Sequence, residues 1–263
     1  MAQVRTVKEI KEALQKIETL EQLYAHPSMR DTRKGVQRAF SSRIKQLEKV
    51  KALQQSYQAM CQFEEAILNQ DPQALICGID EVGRGPLAGP VVASAVILQA
   101  QHQFIGINDS KQLSSAKRIA LDAQLKAHVL DWQIGMASPE EIDTFNIYEA
   151  TKLAMYRAVQ KLRLKPTHYL IDAMTLEGLN APQQAIIKGD AKSVSIAAAS
   201  IIAKVYRDQL MVDYDQQYPG YDFSQNAGYG TKNHLEGLKI HGITPIHRRS
   251  FEPIKSMCTR ESD

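Results

Sequence analysis

Two short apolar runs flank a loop rich in glycine and proline, and this arrangement limits the fold more than any other feature of the chain. The runs are residues 75–79 (LICGI) and 90–98 (PVVASAVIL), and between them lie Gly83, Arg84, Gly85, Pro86 and Gly89. Both are short, the second is β-branched, and the loop reverses the chain, so they read as an antiparallel hairpin opening a sheet. Further strand candidates are Trp132 to Ala137, Tyr169 to Ile171 and Ala185 to Ile187. Helical patterns lie between and after them: Ser114 to Leu130, with Ser114 and Ser115 as caps, Ile147 to Leu162, and Ser193 to about Gln217. Strands followed by helices predict α/β architecture around a mixed sheet.

Residues 1–70 differ. Ile10, Leu14, Ile17 and Leu20 recur at intervals of three and four, the mark of an amphipathic helix, and a second helical stretch runs from about Gly35 to Gln70. This segment holds 12 Lys/Arg against 8 Asp/Glu, a net of +4, while the whole chain carries +3. Arg30, Arg33, Lys34, Arg38, Arg43, Lys45, Lys49 and Lys51 are opposed there only by Asp31 and Glu48. The reading is a small all-α module, 1–70, joined near Asp71-Pro72 to an α/β region, 71–263. Its positive face is either solvated or a grip on phosphates.

Composition excludes several classes. At 44% hydrophobic and 23% charged residues the chain is neither disordered nor fibrous. Cys61, Cys77 and Cys258 form no CxxC pair, which argues against a disulfide framework or structural zinc and for a reducing compartment. No apolar run approaches the roughly 20 residues needed to cross a bilayer, and the start, MAQVRTVKEIKEAL, has no signal-type apolar core. A cytoplasmic protein with no membrane partner is the expectation.

Acids punctuate the apolar segments. Asp80-Glu81 directly follows one strand, Asp172 ends another, and Asp190 precedes the helix from Ser193. Alone, each has an ordinary explanation, a charged strand end or a favourable charge near a helix N-terminus. Repetition changes the balance, because strand ends gathered in one sheet can bring carboxylates together. Such a cluster repels itself unless hard divalent ions enter, and two ions about 4 Å apart can clamp a phosphodiester. The Gly83-Arg84-Gly85 loop is neither a Walker loop nor GxGxxG, and it reads as a tight turn or as backbone exposed to sugar and phosphate. Tyr229, between Gly228 and Gly230, could offer a flat face to a sugar or base. His241, His247, Arg248 and Arg249 read as a solvated basic tail, and no histidine spacing suggests a metal role.

Five blocks occur in order: ICGIDEVGRGPLAGPVVASAVIL, NDSKQLS, HYLIDAM, KGDAKSVSIAAASIIAKVYRD and GYGTKNH. Together they closely resemble bacterial ribonuclease HII over about residues 73–250, and the first seventy residues resemble the N-terminal extension of longer members. The resemblance implies a ribonuclease H-like fold, a mixed five-stranded sheet with surrounding helices and a helical C-terminal part. It implies endonucleolytic hydrolysis of RNA in RNA–DNA hybrids and cleavage 5′ of single ribonucleotides in duplex DNA, leaving 3′-hydroxyl and 5′-phosphate ends. Asp80, Glu81, Asp172 and Asp190 would be the catalytic, metal-binding acids for two Mg2+ or Mn2+ ions. Gly83, Arg84 and Gly85 would contact the ribonucleotide, Tyr229 would stack on the following deoxyribose, and Lys111 would touch a phosphate. The alternatives are a hybrid-binding protein without catalysis and a ribonuclease HIII-type nuclease. The acids argue against the first, because negative charge beside phosphates suits no simple binder.

Overall fold

A computed structural model describes residues 5–108 and 110–260, with side chains up to residue 258. The chain divides into two compact units, Met1–Ala59 and Met60–Asp263.

The first unit is helical. Helix α1 (Val7–Gln15) opens with a capping box in which Thr6 and Glu9 satisfy each other's backbone amides. Helix α2 (Leu20–Tyr24) is capped by Thr19. Helix α3 (Lys34–Met60) supplies Val36, Phe40 and Leu47 to a small core with Ile10, Leu14 and Leu23. Of the apolar positions read at spacings of three and four, Ile10 and Leu14 enter this core and Ile17 and Leu20 pack against it, although the stretch breaks between α1 and α2. Arg43 donates to the Ile17 carbonyl and Arg33 pairs with Asp31. Lys34, Arg38, Lys45, Lys49 and Lys51 are exposed.

The helical stretch read as running to about Gln70 extends past the division between the units at 59/60. The part beyond it is helix α4 (Gln62–Leu68), whose Phe63, Ile67 and Leu68 pack on Ile76, Leu170, Ile186 and Ile196 of the second unit.

That unit is built on five strands: β1 (Ile76–Val82), β2 (Val91–Ile97), β3 (Asp131–Ala137), β4 (His168–Asp172) and β5 (Gln183–Ile186). Their order in the sheet is β3-β2-β1-β4-β5. The pairs β1–β2 and β2–β3 are antiparallel, so the predicted hairpin is present, and β4 and β5 run parallel to β1 and β4. The fifth strand covers 183–186, not 185–187. More consequentially, β1 does not stop before the acids. Asp80 and Glu81 lie inside it, paired with Ser94 and Ala93 of β2.

Helices α5 (Ser115–His128), α6 (Pro139–Gln160) and α7 (Val194–Gln217) flank the sheet, followed by α8 (Phe223–Asn226), α9 (Lys232–His241) and α10 (Ile254–Arg260). Helix α6 begins eight residues before the predicted start, behind a Ser138/Glu141 capping box with Pro139 in the first turn. It bends at Asn146, whose φ of 68° is non-helical.

The two-residue period of β1 sorts its side chains. Cys77 and Ile79 join Ala93, Ala95, Ala150, Ala154 and Met155 in the core under α6. Gly78 and Asp80 belong to the opposite face, where α7 lies so close that a Cβ on Gly78 would stand 2.1 Å from the Ser195 carbonyl carbon. Only glycine lets this buried helix seat there, and α7 in turn brings Ser200 over Asp80.

Among the described residues, no helix is long and apolar enough to cross a membrane.

Candidate active site

Parallel pairing of β1 with β4 ends at Ile79 opposite Ile171, and the next residue on each strand is an acid, Asp80 and Asp172. Register alone therefore sets these two side by side. Glu81 follows on β1 and completes the group. One oxygen from each of Asp80, Glu81 and Asp172 lies within 4.8 Å of the others. Asp80 is 4% exposed, while Glu81 and Asp172 are half-buried.

Crowding has the expected electrostatic cost. Burial, with Glu81 and Asp172 alongside, holds the Asp80 carboxyl well above the usual carboxylate range. Hydrogen bonds from Ser200 and the Glu81 amide oppose this, the latter at 2.8 Å. Glu81 is raised as well, by burial and by Asp172, against the pull of Arg84, whose Nη1 stands 3.4 Å from Glu81 Oε1. The other oxygen, Glu81 Oε2, is buried with no hydrogen-bond partner among the described residues. An all-carboxylate donor set with an orphaned buried oxygen fits a hard divalent cation, which offsets the repulsion and supplies the missing partner.

Asp190 stands outside this three-acid cluster. It occupies a one-turn 3-10 helix, Gly189–Ala191, just before α7, and is half-buried. The connection runs through its neighbour: the Gly189 amide donates to Asp172 Oδ1 at 2.7 Å.

The glycine loop borders the acids. Gly83 has φ 91°, and a Cβ there would lie 2.2 Å from Arg207 Nε, so conformation and space both require glycine. Arg84 and Gly85 are exposed. Tyr229 is 50% exposed, and its Cε1 would be 3.4 Å from a Cβ on Gly85, so ring and loop form one surface. Lys111 is exposed on a one-turn helix, Ser110–Gln112, and Ser110 Oγ meets Ser200 Oγ at 3.0 Å. Asp109, in the same NDSK block, falls outside the described residues.

The supporting residues escaped the sequence reading. Arg248, assigned there to a solvated tail, is fully buried. Its guanidinium donates to the carbonyls of Gly83 (2.5 Å), Arg84 (2.8 Å) and Gly89 (3.0 and 2.8 Å). Arg207 is also fully buried and donates to Ala88, Pro90 and Ala227. Two cations thus hold one loop by its carbonyls. Burial pushes them down to about 10 for Arg207 and about 9 for Arg248. A signal for Arg207 did exist, since it lies seven residues after Ser200 and so shares its helix face. Nothing local marked Arg248.

His247 was likewise read as exposed and is 2% exposed. The Thr244 amide donates to its Nδ1 at 2.9 Å, so its proton sits on Nε2 and points at His234 Nε2, 3.0 Å away. His234 must then carry its proton on Nδ1, which donates to the Tyr229 carbonyl at 2.9 Å. Two neutral imidazoles fix the backbone that presents Tyr229.

A carboxylate cluster on the adjacent inner strands β1 and β4 of a β3-β2-β1-β4-β5 mixed sheet defines a ribonuclease H-type nuclease. Ribonuclease H2 from Pyrococcus horikoshii OT3 superposes with a TM-score of 0.61 at 29% identity, covering 72% of this chain and 99% of that one. The ribonuclease HII model matches residues 77–254, and the ribonuclease HII N-terminal domain model matches 6–68. Ribonuclease HII of Staphylococcus saprophyticus is 56% identical over 96% of this chain and 98% of its own length. That of Staphylococcus epidermidis is 57% identical over the same shares. The chain belongs to the ribonuclease HII family.

Proposed function

We propose that this enzyme hydrolyses RNA in RNA–DNA hybrids and nicks duplex DNA 5′ of a single embedded ribonucleotide, leaving 3′-hydroxyl and 5′-phosphate ends. The convergence of Asp80, Glu81 and Asp172 within 4.8 Å, beside a loop and a tyrosine that form one surface, carries this reading.

Asp80, Glu81 and Asp172 would hold one divalent cation, Mg2+ or Mn2+, and Asp80 with Asp190 would complete a second place when substrate arrives. The chemistry such ions would supply there is activation of water for attack on phosphorus and neutralisation of charge on the leaving 3′-oxygen. Arg207 and Arg248 draw the carbonyls of the glycine loop inward, so its opposite edge faces the ribonucleotide. A loop with Gly83 and Gly85 lets backbone approach the 2′-hydroxyl, the only local group that distinguishes RNA from DNA. Tyr229 stacks on the next deoxyribose, where an additional hydroxyl would clash, so the enzyme favours an RNA-to-DNA junction. Lys111 contacts a phosphate.

Residues 1–70 act as an accessory grip on the duplex through the exposed Lys34, Arg38 and Lys45, beside Ser41 and Ser42. Changing these three cations to Ser weakens hybrid binding and flattens its salt dependence; unchanged affinity and slope would remove the grip from the scheme.

The decisive assay uses a DNA duplex with one ribonucleotide and maps the product ends. Asp80→Asn and Asp172→Asn abolish metal-dependent turnover. Normal turnover in either variant would defeat the assignment.

A further inference from the structure

One buried acid takes no part in the scheme above. Glu64, on α4, is 4% exposed. Its Oε1 accepts from Ser193 Oγ at 2.6 Å, Ser195 Oγ at 2.5 Å and the Ser195 amide at 3.0 Å. These donors form the start of α7, where Ser193 is the N-cap and accepts from the Ile196 amide. A carboxylate from a distant helix therefore joins the cap of α7. That placement favours the helix dipole and satisfies the Ser195 amide and the two hydroxyls, which also meet each other at 3.1 Å.

The chain of contacts does not end at the cap. The Ser193 amide donates to the Gly189 carbonyl at 2.8 Å, and the Gly189 amide donates to Asp172 Oδ1 at 2.7 Å. Asp190 lies on the turn between these two bonds. On the α7 side, Ser195 sits against Gly78 of β1, two residues before Asp80. Glu64 thus fastens the junction from which Asp190 projects and to which Asp172 is tied.

We infer that Glu64 is a positioning residue for the hydrolysis: it fixes the 189–195 turn so that Asp190 meets the other three acids in register. This rests on the role of Asp190 in the proposed function. It also assigns a second role to the stretch before residue 70. Residues 5–59 carry the charged face, but 60–70 carry a support of the catalytic unit itself, with Phe63, Ile67 and Leu68 seating the helix that presents Glu64.

The test uses the full-length protein with E64A, E64Q and S195A. Single-ribonucleotide duplex is cleaved across a Mg2+ or Mn2+ titration, with kcat and KM measured separately. E64A removes the acceptor, so kcat falls at least tenfold and the metal midpoint rises severalfold, while KM stays within about twofold. E64Q keeps an oxygen at the Oε1 position and stays within about threefold of the unsubstituted enzyme. S195A removes one of the three donors and gives a smaller kcat loss with the same rise in metal midpoint. If E64A does not fold, E64Q and S195A carry the test. Unchanged kcat in E64A, equal losses in E64A and E64Q, a change confined to KM, or an S195A with unaltered kcat and metal midpoint would each overturn the inference. D190N is run beside them. Normal turnover in D190N would fault the proposed role of Asp190 itself, whereas an inactive D190N with a normal E64A faults only the positioning.

Discussion

Replacing Arg248 by Met tests whether the glycine loop is held from behind. The guanidinium is fully buried, donates to carbonyl oxygens and lies 5.1 Å over the Phe251 ring. Burial first, and Arg207 second, push its ionisation down to about 9, which corresponds to about 5 kcal/mol against the charged form. Against that stand four hydrogen bonds, each worth about 1.5–3 kcal/mol when the donor is charged. The balance favours the clamp by a few kcal/mol. Methionine removes the cost and the bonds together, but it leaves the Gly83, Arg84 and Gly89 oxygens without these donors, at about 1–3 kcal/mol for each that stays dry. The expected loss is about 3–5 kcal/mol, a fall in Tm of about 10 °C for a unit of this size. Arg248→Lys keeps the charge, yet one ammonium cannot span three carbonyls, so about half of the loss remains. Calorimetry gives the Tm, and cleavage of the single-ribonucleotide duplex, assayed well below the new Tm, reports the loop. Both variants cleave more slowly, because Gly83 and Arg84 lose their anchor. A methionine variant with unchanged Tm and cleavage within twofold would refute the clamp.

Four further outcomes follow from the same geometry. His247 is pushed down to about 4, by burial first and by the His234 ring second. Its folded-state pKa lies below the unfolded one, so the stability it contributes is present above about 6.5 and is lost as pH falls toward 4. Denaturant unfolding should show a decline of about 2 kcal/mol from pH 7 to pH 5 that is shallower in His247→Asn, and parallel declines would contradict this. The raised Asp80 carboxyl penalises its charged form in the ion-free protein at neutral pH. Asp80→Asn should therefore raise the Tm of that protein and remove the further rise caused by Mg2+; a lower ion-free Tm would count against the crowded-acid reading. Gly78→Ala should cost about 3 kcal/mol or more, since its Cβ would meet the α7 backbone, and a neutral result in urea titration would show that α7 is not seated as described. For Tyr229→Ala, cleavage at the RNA-to-DNA junction weakens while the metal midpoint holds; equal cleavage of junction and junction-free substrates before and after substitution would remove Tyr229 from junction sensing.

Local chemistry made much of the protein legible in its sequence. The short apolar runs around a Gly/Pro loop pointed to the β1–β2 hairpin, and three- and four-residue spacing pointed to helix at the start of the first unit. Ser114 and Ser193 marked the starts of α5 and α7 because an N-cap hydroxyl is a local device. Acids at the ends of apolar strands pointed to a carboxylate cluster, since strands in one sheet share an edge. Tertiary structure decided what depends on partners distant in sequence. Whether Asp80 sits beside Asp172 is a matter of β1–β4 register, which neither strand specifies alone. Arg248 and His247 read as solvated because nothing beside them in sequence accepts their hydrogen bonds; their acceptors are loop carbonyls and a histidine brought in by the fold. Helix α4 shows the same dependence, since it continues the helical pattern of α3 yet buries its apolar side on the sheet. Side-chain periodicity is written in neighbouring residues, whereas burial of a charge depends on the donors and acceptors that folding gathers around it.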